Sequence, residues 1–410
     1  MIATDAAPDR YALARAITCL GITQIIAWGT TYYCLGVLST PIGREMGWSA
    51  STVFTGFAVA LLSGSAASTT TGFLIDTYGA RAVMTAGSVA VSIGLYALSG
   101  VVDLMTYLIT WAYLGIAMRL TLYDAAFAAI VQVAPDRGRR GISYLTLWGG
   151  FASSVFWPIG HYLNGLYGWR QTLAIFAVFN LVACVPLHWF GITRHDKGSD
   201  TGQAKPAAAG AASAVDGRPL EGRARSVGIA LFALVMSFIA FVFSVTSVQL
   251  VHLLEQAGLA TAAAVWLGSL KGVAQVGGRI LELTYGSRYH PMTIARIAIA
   301  SLAASVVLLI MSGGSLWLAV AFTVLTGAAQ GVLTIVRGAV PLALFGASGY
   351  ASVLGLIATP ILVVSAASPI IYPWIVARIG PTGAGLLLLA SSAMAVILME
   401  LMSRWYDRQA

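Results

Sequence analysis

Charge is scarce in this chain. Asp, Glu, Lys and Arg make up 9% of its residues, against roughly 25% in an ordinary soluble protein, and so little charge excludes a water-solvated globule. Cysteine is sparse too: Cys19, Cys34 and Cys184 all lie in apolar runs. They offer neither a disulfide framework nor metal spacing and read as small buried hydrophobes. Enzyme motifs are lacking, and no Gly-rich phosphate loop with its lysine is present, so direct use of ATP is not supported. Strand-like alternation is absent, which excludes a membrane β-barrel. No cofactor and no metal are expected.

What the chain has in abundance is apolar length. Hydrophobic residues reach 58%, and a membrane-crossing helix needs about 20 of them in a row. Six such runs precede one polar stretch, at 13–39, 50–73, 82–102, 106–133, 142–165 and 171–192. Six follow it, at 226–254, 261–284, 291–312, 315–340, 348–374 and 381–402. The polar stretch, 193–225, holds ten of the ionisable Asp, Glu, Lys and Arg residues and is rich in Ala, Gly and Ser, as a flexible tether would be. The expected fold is therefore all-α, twelve transmembrane helices in two pseudo-symmetric bundles, 1–192 and 226–410. Residues 1–11 are polar and the first apolar run is span-length, so it is expected to stay as the first helix rather than be cleaved.

Lys and Arg placement sets the orientation. With the N-terminus inside, 17 of the 23 fall on the cytoplasmic side and only Arg44, Arg170 and Arg378 outside. Arg119, Lys271 and Arg279 remain within predicted helices. Both termini and the linker are then cytoplasmic, in a multi-pass protein of a bacterial-type inner membrane. The net charge of +8 follows from this topology, so no nucleic-acid partner is implied.

The two halves carry a faint echo at the same ordinal helix. Helix 4 reads GIAMRLTLY from Gly115, and helix 10 reads GAAQGVLTI from Gly327. Duplicated six-helix halves place a solute site near mid-membrane.

After helix 2 comes GFLIDTYGAR, in which Gly72, Leu74, Asp76, Gly79 and Arg81 match the loop signature G-x-L-x-D-[RK]-x-G-x-[RK]. The segment resembles the cytoplasmic loop of the major facilitator superfamily, with Thr77 in place of a usual base. Its glycines permit a tight turn and close helix contact, and Asp76 can cap a helix end or pair with a base. Glu45-Met-Gly-Trp48-Ser49 and Gly168-Trp169-Arg170 look like the monocarboxylate and oxalate/formate branch. Helix 8 can be laid on that branch without a gap, which puts its intramembrane arginine at Arg279. Here, however, Gln275 stands where the branch often has an acid, helix 1 has no mid-membrane Lys or Asp, and helix 4 carries Arg119 and Asp124. The resemblance implies a monomeric carrier whose helices 1, 4, 7 and 10 line the path.

A charge at mid-span costs roughly 2.5–3.5 kcal/mol on insertion scales and marks a functional candidate. Lys271, Gln275 and Arg279 recur at i, i+4 and i+8 and share one helix face at about 100° per residue. Two cations and an amide on one stripe suit an anion, whose carboxylate Arg279 can grip bidentately. The plainer alternative has Lys271 and Arg279 paired with Asp124 or Glu282, locking helices. Arg119 and Asp124, five apart on a continuous helix, point in different directions and are expected to find partners on other helices. Asp124 is the proton-coupling candidate, or else a structural partner of Lys271 or Arg279. In helix 1, Gln24, Trp28, Tyr32 and Tyr33 suit a small organic solute, with Gln249 and Gln330 as further polar contacts. His161 and His252 are titratable, and Arg337 reads as a snorkelling or gate residue.

The leading expectation is a secondary transporter for a small monocarboxylate-like anion, working by alternating access with protons or by exchange, its partners being the solute, the bilayer and protons. An efflux carrier for a drug-like compound or a metalloid such as arsenite is the alternative. A sensor or scaffold without flux is the third reading.

Overall fold

In the computed structural model the described residues are 7–193 and 219–409, and every regular element among them is helical. The chain starts with α1 (Ala7–Ala27), a π-helical turn over Trp28–Tyr32, and α2 (Leu35–Met46). There follow α3 (Ala50–Tyr78), α4 (Ala80–Ser99), α5 (Leu104–Arg119), α6 (Tyr123–Val133), α7 (Gly138–Gly149) and α8 (Ala152–Phe179). A second π-helical turn over Asn180–Cys184 leads into α9 (Val185–Gly191). Beyond it lie α10 (Gly222–Val248), α11 (Leu250–Gln256), α12 (Thr261–Tyr285), α13 (Pro291–Met311), α14 (Leu316–Phe345) and α15 (Tyr350–Asp407).

Among the described residues nine helical stretches are long and apolar enough to cross a membrane. Two of them, Pro135–Gly191 and Tyr350–Asp407, run to 57 and 58 residues, far beyond the roughly 20 a bilayer needs. Each is interrupted once, at Gly168 (φ 76°, ψ 169°) and at Gly380 (φ 75°, ψ 170°), backbone that a residue with a Cβ rarely adopts. Each therefore supplies two spans. Thr261–Tyr285 is as long as the others but carries Lys271, Arg279 and Glu282, which lower its apolarity. Each of the twelve predicted runs is mostly helical, some with short breaks such as 33–34 and 120–122.

Local chemistry fixes several ends. Ser49 Oγ caps α3 by accepting from the Thr52 amide at 3.2 Å, and Asp103 Oδ1 caps α5 by accepting from the Thr106 amide at 2.8 Å, as N-cap residues do. Of the stretch read as linker, 194–218 lies outside the described residues, whereas Gly222–Arg225 is already helical as the first turn of α10.

The chain divides into two compact units, one of the residues up to Ala214 with Ala347–Thr359, the other of Val215–Gly346 with Pro360–Ala410. In the first, α3 packs on α5, with Tyr107 and Trp111 fully buried between them and the Tyr107 hydroxyl donating to the Val53 carbonyl at 2.7 Å. In the second, α12 packs on α14, and α13 on α14.

Candidate functional site

Helix 4, read from sequence as one run over 106–133, is broken. α5 ends at Arg119, α6 starts at Tyr123, and Leu122 between them is extended (φ −80°, ψ −168°). The break corrects the expectation that Arg119 and Asp124 look elsewhere for partners: the two form a buried ion pair with each other. The argument from helical angle failed because it assumed an unbroken helix. Each charge also suits its helix end. Arg119 sits in the last turn of α5 and Asp124 in the first turn of α6, where the macrodipole favours a cation and an anion respectively. Arg119 Nε is buried and has no hydrogen-bond partner among the described residues.

Helix 1 is tied to the break. Gln24, fully buried, donates from Nε2 to the Thr121 carbonyl at 2.7 Å and accepts from Trp28 Nε1 at 3.1 Å. That bond satisfies a carbonyl of the interrupted helix, which would otherwise be costly away from water. The Trp28 ring lies 4.9 Å from both Tyr32 and Tyr123 and 6.0 Å from Tyr33. The structure gathers Trp28, Tyr32, Tyr33 and Tyr123 into one half-buried aromatic cluster. Sequence reasoning overlooked Asn180, which donates to Thr30 Oγ1 at 2.9 Å, and His188, fully buried between Ser88 Oγ (2.8 Å) and Thr23 Oγ1 (2.9 Å). Nothing in the apolar run 171–192 signals either role.

In the second unit Lys271 and Arg279 are both buried, at 8% and 5% exposure, yet their surroundings differ. Lys271 Nζ donates to the Thr246 carbonyl and to Ser247 Oγ, both at 3.0 Å. Thr246 lies in the last turn of α10, whose orphan carbonyls attract a cation. Gln330 Nε2 reaches the same Ser247 Oγ at 3.5 Å, so Lys271 and Gln330 converge on a serine that sequence reasoning passed over. Arg279 has no such partners: its Nε and Nη1 are buried without a hydrogen bond among the described residues. Gln275, half-buried between the two cations in sequence, lies backbone-close to α14.

That close packing is shared by the two echo segments. A Cβ on Gly115 of α5 would stand 2.1 Å from the Ala60 carbonyl oxygen of α3, and one on Gly327 of α14 2.5 Å from the Lys271 carbonyl oxygen of α12. A Cβ on Gly331 would meet the Gln275 carbonyl oxygen at 2.1 Å. Such small-residue contacts let membrane helices approach backbone to backbone. Of the remaining candidates, His161 and His252 are exposed, Gln249 is half-buried at the α10–α11 junction, and Arg337 is half-buried in α14.

The motif residues also find places. Asp76, in the last turn of α3, caps the start of α15, accepting from the Ala351 amide (3.2 Å), the Ser352 amide (2.8 Å) and Ser352 Oγ (2.5 Å). Gly72 abuts the Ala351 carbonyl, Gly79 ends α3, and the Arg81 guanidinium lies 4.3 Å over the Trp189 ring. Glu45 accepts from Trp169 Nε1 at 2.6 Å and from Arg170 Nε at 2.7 Å, so the two tryptophan motifs, far apart in sequence, share one carboxylate. No group of three or more His, Cys, Asp or Glu side chains converges among the described residues as metal ligands would.

Comparison with known proteins agrees with this architecture. The Major Facilitator Superfamily model matches residues 20–315. No curated protein matches the chain in sequence. Among solved structures, the human organic anion transporter MFSD10 (TETRAN) matches with a TM-score of 0.72 at 16% identity, over 96% of this chain and 99% of that one. FucP in the outward conformation gives 0.69 at 12% identity, over 95% and 99%. The proton:xylose symporter XylE gives 0.69 at 14%, over 95% and 96%.

Proposed function

This chain belongs to the major facilitator superfamily, whose members are membrane transporters that move small solutes by alternating access, and on that premise we propose that its solute is a small organic anion. One observation carries the reading. Of the three cations near mid-span, Arg119 is held by Asp124 and Lys271 by Thr246 and Ser247, whereas the Arg279 guanidinium keeps two buried nitrogens without a hydrogen-bond partner among the described residues. A buried, unmatched donor fork is costly and fits a carboxylate bidentately. A monocarboxylate supplies that group on a small body. In this reading Lys271, Gln275 and Gln330 shape the polar face near it, and Trp28, Tyr32 and Tyr33 are further candidate contacts for the solute. Arg119 and Asp124 form the coupling element, with Asp124 carrying the proton. The two bundles, 1–192 and 226–410, rock about the tether between them, with both termini on the cytoplasmic side.

The test is binding to purified protein, read as thermal stabilisation by a panel of carboxylates, neutral sugars, drug-like cations and arsenite. Carboxylate stabilisation that disappears in Arg279→Ala and partly survives in Arg279→Lys supports the reading. Stabilisation by arsenite or neutral compounds alone, or a carboxylate shift unchanged in Arg279→Ala, overturns it.

A further inference from the structure

A cavity of about 420 Å³ lies in the first unit between α1 and α9. Its size falls within the range of pockets that hold small molecules. Its walls are apolar, formed by Ala183, Pro186, Leu187 and Phe190 with Cys19. The second π-helical turn, Asn180–Cys184, contributes Ala183 to this wall. One charged residue, Arg15, stands in the lining. It is exposed and makes no ion pair among the described residues. A second cation comes from α4: Arg81 lies over Trp189 of α9, the neighbour of Phe190, and its Nε is buried without a hydrogen-bond partner among the described residues.

We propose that this groove binds an anionic phospholipid, its acyl chain along α1 and α9 and its phosphate at Arg15. The elements run antiparallel, since His188 meets Thr23 while Gly191, later in α9, meets Cys19, earlier in α1, so Arg15, one turn before Cys19, lines one end of the groove. An apolar trough closed by a cation at one end has the polarity of a phospholipid, a long apolar body with one anionic end. A free anion would gain nothing from the trough, and a neutral lipid nothing from Arg15. Phe190 is 73% and Val182 67% exposed, large apolar surfaces that a membrane-embedded chain presents to lipid rather than to water. The charge also agrees with the Lys- and Arg-rich membrane face, where anionic lipid concentrates.

The experiment is thermal unfolding of the full-length protein in neutral detergent with added phosphatidylglycerol, phosphatidylcholine or inorganic phosphate. Phosphatidylglycerol should raise the melting temperature of the wild type, and the other two should not. The shift should be lost in Arg15→Ala, which removes the headgroup contact, and in Ala183→Trp, which fills the trough and leaves Arg15 in place. Both sites are at least partly exposed, so each variant should fold, its own lipid-free melting temperature serving as baseline. Equal stabilisation by phosphatidylcholine, a shift that survives both variants, or a shift reproduced by phosphate alone would each overturn the proposal.

Discussion

Replacing Asp124 with Asn tests the broken helix directly. The change keeps the shape of the side chain and removes the charge, leaving Arg119 buried opposite an amide. Arg119 already has an unpartnered Nε, so it has little means of compensating. Breaking a buried pair from one side costs about 3–5 kcal/mol, because the surviving charge is left without its counter-ion. A unit of roughly 200 residues loses about 2–4 °C per kcal/mol, so Asp124→Asn and Arg119→Met should each melt on the order of 10 °C lower in detergent. The double variant Arg119→Met/Asp124→Leu should recover most of that loss, since a buried pair replaced by apolar groups of similar volume is often neutral or stabilising. The assay is scanning fluorimetry of all four proteins, read as a double-mutant cycle. A double variant as unstable as the sum of the singles would show that the two residues do not act together and would refute the reasoning.

Three further outcomes follow from named contacts. Gly331→Val should destabilise the second unit by about 1–3 kcal/mol through overpacking, because its Cβ would stand 2.1 Å from the Gln275 carbonyl; circular-dichroism melts check this. Asp76→Ala should cost about 1 kcal/mol as the loss of an N-cap, measured as earlier proteolysis or hydrogen exchange at the start of α15. Maleimide labelling should modify Cys19, which is partly exposed, well before Cys34 and Cys184, which are buried, as mass spectrometry would show.

Much of the fold was legible because bilayer thickness imposes a length on every apolar run. The gaps between runs at 165–171 and 374–381 fall on Gly168 and Gly380, where the backbone turns. The break in helix 4 was illegible because neither Pro nor Gly marks it: its residues are Leu120, Thr121 and Leu122. It is held from outside, by Gln24 on the Thr121 carbonyl and by the space that Gly87 leaves for Leu120. Periodicity along one helix carries no trace of a contact made by another. The stripe of Lys271 and Arg279 was readable, but which cation was already satisfied was not, since that depends on where α10 ends.

The glycine contacts of the two echo segments set the two halves apart. Aligning Gly115 with Gly327 puts Arg119 opposite Gly331, and the partners those glycines meet put Ala60 opposite Lys271 and Gly64 opposite Gln275. In the first copy the later helix of the pair carries the cation, and its Cδ lies 3.3 Å from where a Cβ on Gly64 would be. In the second copy the earlier helix carries the cation and the amide, and the later one has shrunk to glycine. Each close approach leaves room for a bulky polar group on only one partner, and the two halves place that group on different ones. A chimera built from two copies of one half would therefore carry its charge on the same helix twice and lose the difference between the halves.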